Sequence, residues 1–180
     1  MTLNFLTVES LINKLDENDL SIPEIINFFY KRINEKNKEI NAVISKIPYS
    51  KLQNEILLSE KRRLENKRLS PLDGFPIAIK DLEETQGIPT TLGSKIFQKN
   101  IPKIDSPMVS NLKKSGCLIL GKTNVPEFGI GSQTYNEIFG STKNPFDLEL
   151  TSGGSSGGAA AAVSTGMIPF ADGSDMMGSL

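Results

Sequence analysis

The sequence predicts an α/β fold, with N-terminal helices followed by part of a mixed or parallel β-sheet sandwiched by helices. Three observations predict it. Two apolar runs of strand length, FPIAI and CLIL, flank a segment that carries helix start and stop signals. The seventy residues before them are rich in charge and hold helix caps. The last thirty residues join a Gly/Ser loop, an alanine run and an apolar stretch, with no basic side chain among them. Strand, helix, strand order with short apolar runs is the pattern of layered α/β architecture.

Each element has a local reason. Ser21, Ile22, Pro23 and Glu24 read as a capping box with proline in the first turn, and EIINFFYKRI continues the helix. Residues 40–47, INAVISKI, read as a short strand. Residues 51–67 read as a charged helix whose Leu52, Ile56, Leu57 and Leu64 form the apolar side and whose Lys, Arg and Glu form a solvated face. PLDG, starting at Pro71, is a turn, and FPIAIK is a strand that ends in a charge. Asp105, Ser106 and Pro107 open a helix through Lys114, which Gly116 stops, and CLIL is a buried strand. GKTNVPEFGIGSQT is rich in loop residues. After the glycines, AAAAV is helix material, and MIPFA reads as a buried strand. A loop, helix, strand unit without basic residues fits a buried centre better than a flexible Gly/Ser tether.

Composition narrows the chemistry. The chain has 180 residues, a formal charge of −1, 38% hydrophobic and 23% charged residues. That is the profile of a globular domain rather than a disordered segment, and roughly 70% of the unfolded surface is buried at this size. A near-neutral balance gives no electrostatic case for nucleic-acid binding. One cysteine and no histidine exclude an internal disulfide, a Cys/His zinc site and any Ser-His-Asp or Cys-His machinery. Cys117, inside an apolar run and without a basic neighbour, reads as a buried, inert thiol. The N-terminal MTLNFLTVESLINKLDEND has no basic leader or cleavage site, and no apolar stretch reaches the ~20 residues of a membrane span. A cytoplasmic location is the expectation.

Several short motifs fail on chemistry. Gly154 to Gly158, GSSGG, matches a nucleophile elbow, but that device needs a histidine. A phosphate-cradling loop needs Gly-Lys-Ser/Thr, and Ala159 follows Gly158. Ser110 and Lys113 match S-x-x-K on an ordinary amphipathic helix. What remains is serine chemistry with a lysine base. A free lysine is neutral in only about one molecule in 2,500 at pH 7, so a base lysine needs burial or nearby positive charge to lower its pKa by roughly 3 units. Lys80 after FPIAI and Lys122 after CLILG both end apolar strands. Such a lysine ordinarily snorkels to water, and pattern alone does not choose between the two.

GFPIAIKD, GKTNVPEFG, NPFDLELTSGGSSGGAAAAV and ADGSDMMGS, in that order, resemble the amidase signature family over nearly the whole chain. The spacings from Lys80 to Ser155 and from Ser155 to Ser179 also resemble those between the family's lysine, cis-serine and nucleophile. The resemblance implies that Ser179 is the acylated nucleophile. Ser155, following a cis peptide bond from Gly154, relays the proton, and a neutral Lys80 is the ultimate base. The main-chain N–H groups of Met176, Met177, Gly178 and Ser179 line the oxyanion hole, where successive donors face the developing charge. Ser152 and Ser156 are expected to be structural hydrogen-bonders. Two departures stand out. Met177 occupies a position where the family has glycine, adding a Cβ and a flexible thioether near the acyl site. The family's Ile/Leu-Arg continuation after the nucleophile is absent, because the sequence ends at Leu180.

The resemblance therefore implies an incomplete amidase signature fold. Residues 1–70 would form an N-terminal helical region, and residues 71–180 the N-terminal part of a catalytic domain truncated after Leu180. Alone, such a piece is expected to be unstable and to have little activity. The first functional reading is an amidase that hydrolyses a carboxamide C–N bond through a serine acyl-enzyme. The second is the A subunit of the glutamyl-tRNA(Gln)/aspartyl-tRNA(Asn) amidotransferase, which hydrolyses glutamine and passes ammonia to a partner protein. The third is a degenerate, non-catalytic member. The implied partner is a small-molecule amide, with no cofactor or metal, no membrane and no direct nucleic-acid contact. The full-length protein could pair as a homodimer.

Overall fold

In the computed structural model, which describes residues 3–180, the two apolar runs become neighbouring strands. The helices are α1 (Val8–Asp16), α2 (Ile22–Ile40), α3 (Tyr49–Leu64), α4 (Pro107–Lys114) and α5 (Gly157–Ser164). The central sheet has strands β1 (Val43–Ile44), β2 (Pro76–Lys80) and β3 (Leu118–Thr123), in the order β1-β3-β2. β2 and β3 are parallel and joined through α4, while β1 runs antiparallel to β3. The sheet is thus mixed, and the α/β class holds.

Alternation along β2 divides the core. Ile77 and Ile79 pack with Val109 of α4, Ile88, Cys117 and Ile119. Ala78 belongs to the larger cluster on the other face, with Phe29 and Ile33 of α2, Leu120, and Ala161 and Ala162 of α5. A register shift matters here. Ile77 is opposite Ile119, but Ala78 is opposite Gly121, so Ile79 faces Lys122 and Lys80 faces Thr123. Successive residues of a strand point to opposite faces. Lys80 therefore projects to the α5 side with Ala78, and Lys122 to the other side with Ile79.

The caps follow their residues. Glu24 N–H donates to Ser21 Oγ and Ser21 N–H donates to Glu24 Oε2, completing the capping box on α2. Ser106 caps α4 by accepting from Val109 N–H. α3 spans Tyr49–Leu64 rather than 51–67, and its apolar side is narrower than expected: Leu52 and Ile56 are buried, while Leu57 and Leu64 are exposed. At the start of α5 the backbone leaves no room. A Cβ on Gly158 would lie 2.4 Å from the backbone N and O of Asn124, just past β3. Glycine permits that approach.

Two strand expectations fail. In 40–47 the helix α2 runs on to Ile40, and the strand shortens to Val43–Ile44, with a further bond from Ile47 N–H to Leu120 O of β3. Asn37 is the reason. Its side chain accepts from Ala42 N–H and Val43 N–H and donates to Val43 O, and Asn41 adopts left-handed φ 56° as the cap. The side chain draws the Ala42 N–H away from β3, and Ser45 at φ 44° ends the strand on the other side. MIPFA makes a single parallel bridge, Ala171 to Ala78. Met167 N–H closes the end of α5 on Ala162 O, and Pro169 has no N–H to give a ladder. The loop-rich region after β3 contains two small hairpins that the sequence pattern does not announce. They are β4 (Tyr135–Asn136) with β5 (Gly140–Ser141), and β6 (Lys143–Asn144) with β7 (Asp147–Thr151). Among the described residues no helix is long and apolar enough to cross a membrane.

Candidate active site

The end of β2 and the start of α5 meet at a cluster of hydroxyls. Strand alternation delivers Lys80 there, and the Gly-rich turn before α5 presents Ser155 and Ser156. Lys80 is 1% exposed and Ser155 5%, so their polar atoms depend on one another. Lys80 Nζ lies 2.9 Å from Ser155 Oγ, 2.8 Å from Ser156 Oγ and 2.9 Å from Ser174 Oγ. Ser155 Oγ lies 3.2 Å from Ser179 Oγ. The three side chains named from the sequence thus form one chain of polar atoms, Nζ to Oγ to Oγ. The Gly154–Ser155 peptide bond is cis.

Lys122 is the lysine that the structure keeps apart. Its Nζ donates to Thr85 Oγ1, to Thr90 Oγ1 and to Glu83 O on the opposite face of the sheet. Ser110 and Lys113 do not meet either. Ser110 lies on α4, and Lys113 Nζ is paired with Asp105 at 2.8 Å. Cys117 is buried, and burial pushes its thiol up to about 11.

The electrostatics suit a basic amine. Burial pushes the Lys80 pKa below its ordinary value, against the pull of the Asp172 and Asp175 carboxylates. A buried ammonium is costly, so desolvation favours the neutral form. Ser156 shares this environment as a hydrogen-bonder: it contacts Lys80 and accepts from Ser174 N–H. Ser152 Oγ donates a long hydrogen bond to Gly153 O.

In the turn from Asp175 to Leu180, main-chain donors are engaged by a side chain. The resemblance assigns the main-chain N–H groups of Met176, Met177, Gly178 and Ser179 to an oxyanion hole. The Gly178 N–H instead donates to Asp175 Oδ1 at 2.5 Å, and Leu180 N–H donates to Asp175 Oδ2 at 3.1 Å. A carboxylate placed just before a tight turn collects the turn's own donors, as Asx turns do. The main-chain N–H groups of Ser179 above all, then of Gly178, Leu180 and Met177, hold the Asp175 carboxyl below the usual range. The Gly178 donor is therefore spent within the turn. Met177 is 91% exposed and does not fill the site.

Sequence reasoning missed three contributors. Asp172 Oδ1 accepts from Lys80 N–H at 2.7 Å, anchoring the final segment to β2. Ser174 offers its hydroxyl to Lys80, and Thr134 Oγ1 accepts from Gly157 N–H at 3.1 Å, steadying the Gly-rich turn. Asp172 and Ser174 sit in the segment ADGSDMMGS. Thr134 sits in GSQT, where nothing marks it. A cleft of about 540 Å³ opens beside these groups, lined by Ser132, Gly154, Ser156, Asp172, Ser179 and Leu180. A second cleft of about 490 Å³, between α3 and residues 86–89, holds none of the triad residues.

A family profile described as "Amidase" matches residues 24–180. Among curated proteins, the chain is 42% identical over 178 residues to the A subunit of the glutamyl-tRNA(Gln) amidotransferase from Saccharolobus solfataricus, covering 99% of this chain and 36% of that protein. It is 38% identical to the protein of the same name from Natranaerobius thermophilus, covering 100% of this chain and 36% of that one. The chain spans little more than a third of the length of these relatives. Among solved structures, fatty acid amide hydrolase superposes with a TM-score of 0.91 at 28% identity, over 98% of this chain and 31% of that one. A bacterial aryl acylamidase of the amidase signature enzymes superposes at 0.85 with 30% identity, over 93% and 35%. With a matching profile over most of its length, the chain belongs to the amidase family, the amidase signature enzymes.

Proposed function

We propose that this chain carries the reacting residues of an amide-cleaving enzyme, and that the amide is the side chain of glutamine, as in the A component of an amidotransferase. The observation that supports the chemistry is the contiguous path from Lys80 Nζ through Ser155 Oγ to Ser179 Oγ. Ser179 Oγ attacks the carboxamide carbon while its proton passes to Ser155, and the Ser155 proton passes to Lys80. The tetrahedral intermediate collapses with the C–N bond breaking. The proton returns from Lys80 through Ser155 to the leaving nitrogen, as general acid catalysis requires. Ammonia leaves, and water attacks the acyl-Ser179 ester to release the carboxylate and restore the hydroxyl.

The curated relatives favour glutamine over other amides. They carry the amidotransferase name at 37–42% identity. The amide hydrolases of known structure stand lower, at 28% for fatty acid amide hydrolase and 30% for the aryl acylamidase. In this reading a partner protein receives the released ammonia. A general amidase is the second reading, favoured by Met177 at a position where the family has glycine. The test uses the full-length protein. Glutamine-dependent ammonia release, together with fluorophosphonate labelling of Ser179 that Ser179→Ala abolishes, is the expected result. Labelling without glutamine turnover, with hydrolysis of simple aliphatic or aryl amides, would transfer the case to the general amidase.

A further inference from the structure

Four oxygens surround Lys80 Nζ, and they are not equivalent. Ser155 Oγ lies at 2.9 Å, Ser156 Oγ at 2.8 Å, Ser174 Oγ at 2.9 Å and the Ser174 carbonyl oxygen at 3.2 Å. An ammonium has three N–H bonds to give to such a ring. A neutral amine has two, and its lone pair must face the hydroxyl whose proton it takes. The neighbours decide which oxygens receive the two N–H bonds.

Ser156 has no choice of role. A hydroxyl offers one donor and two acceptor lone pairs. The Ser156 O–H donates to the Ser174 carbonyl at 3.1 Å, and its oxygen accepts from Ser174 N–H at 3.3 Å. One lone pair is left, so toward Lys80 it can only accept. Ser174 draws the second N–H, because its carbonyl, like its hydroxyl, lies within reach of Nζ and a carbonyl can only accept. With both N–H bonds engaged, the lone pair is left for Ser155. That is the hydroxyl of the ring that also reaches Ser179 Oγ, at 3.2 Å.

We propose that Ser174 is a positioning residue which, together with Ser156, engages both N–H bonds of neutral Lys80 and so turns its lone pair toward Ser155. The inference rests on the assignment of Lys80 as the base made above. The charged groups that face this amine stay in place when Ser174 is changed. Asp172 Oδ1 is held by Lys80 N–H at 2.7 Å, and Asp175 is held by Gly178 N–H and Leu180 N–H. α5 carries no titratable side chain, and Lys122 is bonded to Thr85 and Thr90 on the opposite face of the sheet.

The experiment measures the rate of fluorophosphonate labelling of the full-length protein from about pH 5 to about pH 10. This rate reads activation of Ser179 without reference to a substrate. Ser174→Ala removes the hydroxyl and leaves the carbonyl. The lone pair then faces Ser155 in fewer molecules, and the plateau rate at high pH is expected to fall about tenfold. Acceptors around a lysine favour its charged form, so the loss of one lowers the pKa and is expected to move the rising limb down by roughly one pH unit. Ser174→Thr keeps the hydroxyl and is expected to restore both limb and plateau. A residue that only shapes the turn would lower the plateau without moving the limb, and that result overturns the proposal. An unchanged plateau, a limb that moves up, or a Ser174→Thr variant as slow as Ser174→Ala overturns it equally. If Ser174→Ala does not melt cooperatively, Ser156→Ala decides, and an unmoved limb there overturns it. A limb that survives Lys80→Ala overturns the base assignment itself, and this inference with it. A limb lost in Lys80→Ala yet unmoved by Ser174→Ala overturns the inference alone.

Discussion

In the proposed reaction Lys80 acts as a neutral amine, and each of its neighbours bears on that state. Burial lowers its pKa, while Asp172 and Asp175 oppose the shift. The sign for activity follows. Below the depressed pKa the amine is an ammonium and cannot accept the Ser155 proton, so the rate rises as pH climbs through that value. Lys80→Ala is expected to lower turnover at pH 7 by several orders of magnitude, with partial recovery in alkali as hydroxide replaces the base. The pH–rate profile of the variant checks this, and a profile parallel to the parent would exclude Lys80. Ser155→Ala should cost a comparable amount without restoring a pH limb, because it cuts the path between Nζ and the Ser179 hydroxyl. A variant that kept turnover within a few-fold would mean that Lys80 reaches Ser179 by another route.

At the scale of elements, the site exists because two segments approach more closely than side chains permit. α5 starts against the backbone of Asn124, and its glycines are the condition for this. A methyl group on Gly158 must displace main chain rather than a flexible side-chain end. Gly158→Ala is therefore expected to cost about 1–3 kcal/mol, the range for overpacking, and to slow fluorophosphonate labelling because the Ser155 turn moves with the helix. Urea unfolding of the full-length protein measures the first and the labelling rate the second. A fully stable variant with normal labelling would show that α5 can retreat without harm. The α2 cap is a control far from the chemistry. Ser21→Ala removes the acceptor for Glu24 N–H and the capping box, for a loss of about 1 kcal/mol with the labelling rate unchanged.

Across the whole molecule, the site is more legible in the sequence than the sheet. Lys80, Ser155 and Ser179, which the resemblance to the amidase signature family singles out, do lie together, on a strand end, a turn and a loop. Lys122 looks equivalent by pattern. What separates the two lysines is the register shift beyond Ile77, a property of strand pairing that no single run of residues displays. The MIPFA strand and the long strand at 40–47 fail for a similar reason: Pro169 and the Asn37 side chain redirect backbone bonds. The connection between layers is also silent in the sequence, and it carries the last prediction. Asp73, in the turn before β2, is fully buried. It accepts from Arg62 Nε at 2.7 Å and Nη2 at 2.6 Å on α3, and from Leu69 N–H at 3.0 Å. Burial raises its pKa, but the Arg62 and backbone donors outweigh burial and hold it below the ordinary value. A carboxyl with a depressed folded pKa adds stability above its unfolded pKa of about 3.9, and that stability is lost as pH falls through the folded value. Asp73→Asn leaves Arg62 without its charge partner, and is expected to cost about 3 kcal/mol at pH 7. The deficit should shrink as the pH is lowered below about 4, because the parent is then losing the same interaction. Urea unfolding of both proteins at pH 7 and pH 3 measures the two gaps. Equal gaps would show that Asp73 joins α3 to the sheet by shape alone, with its charge contributing nothing.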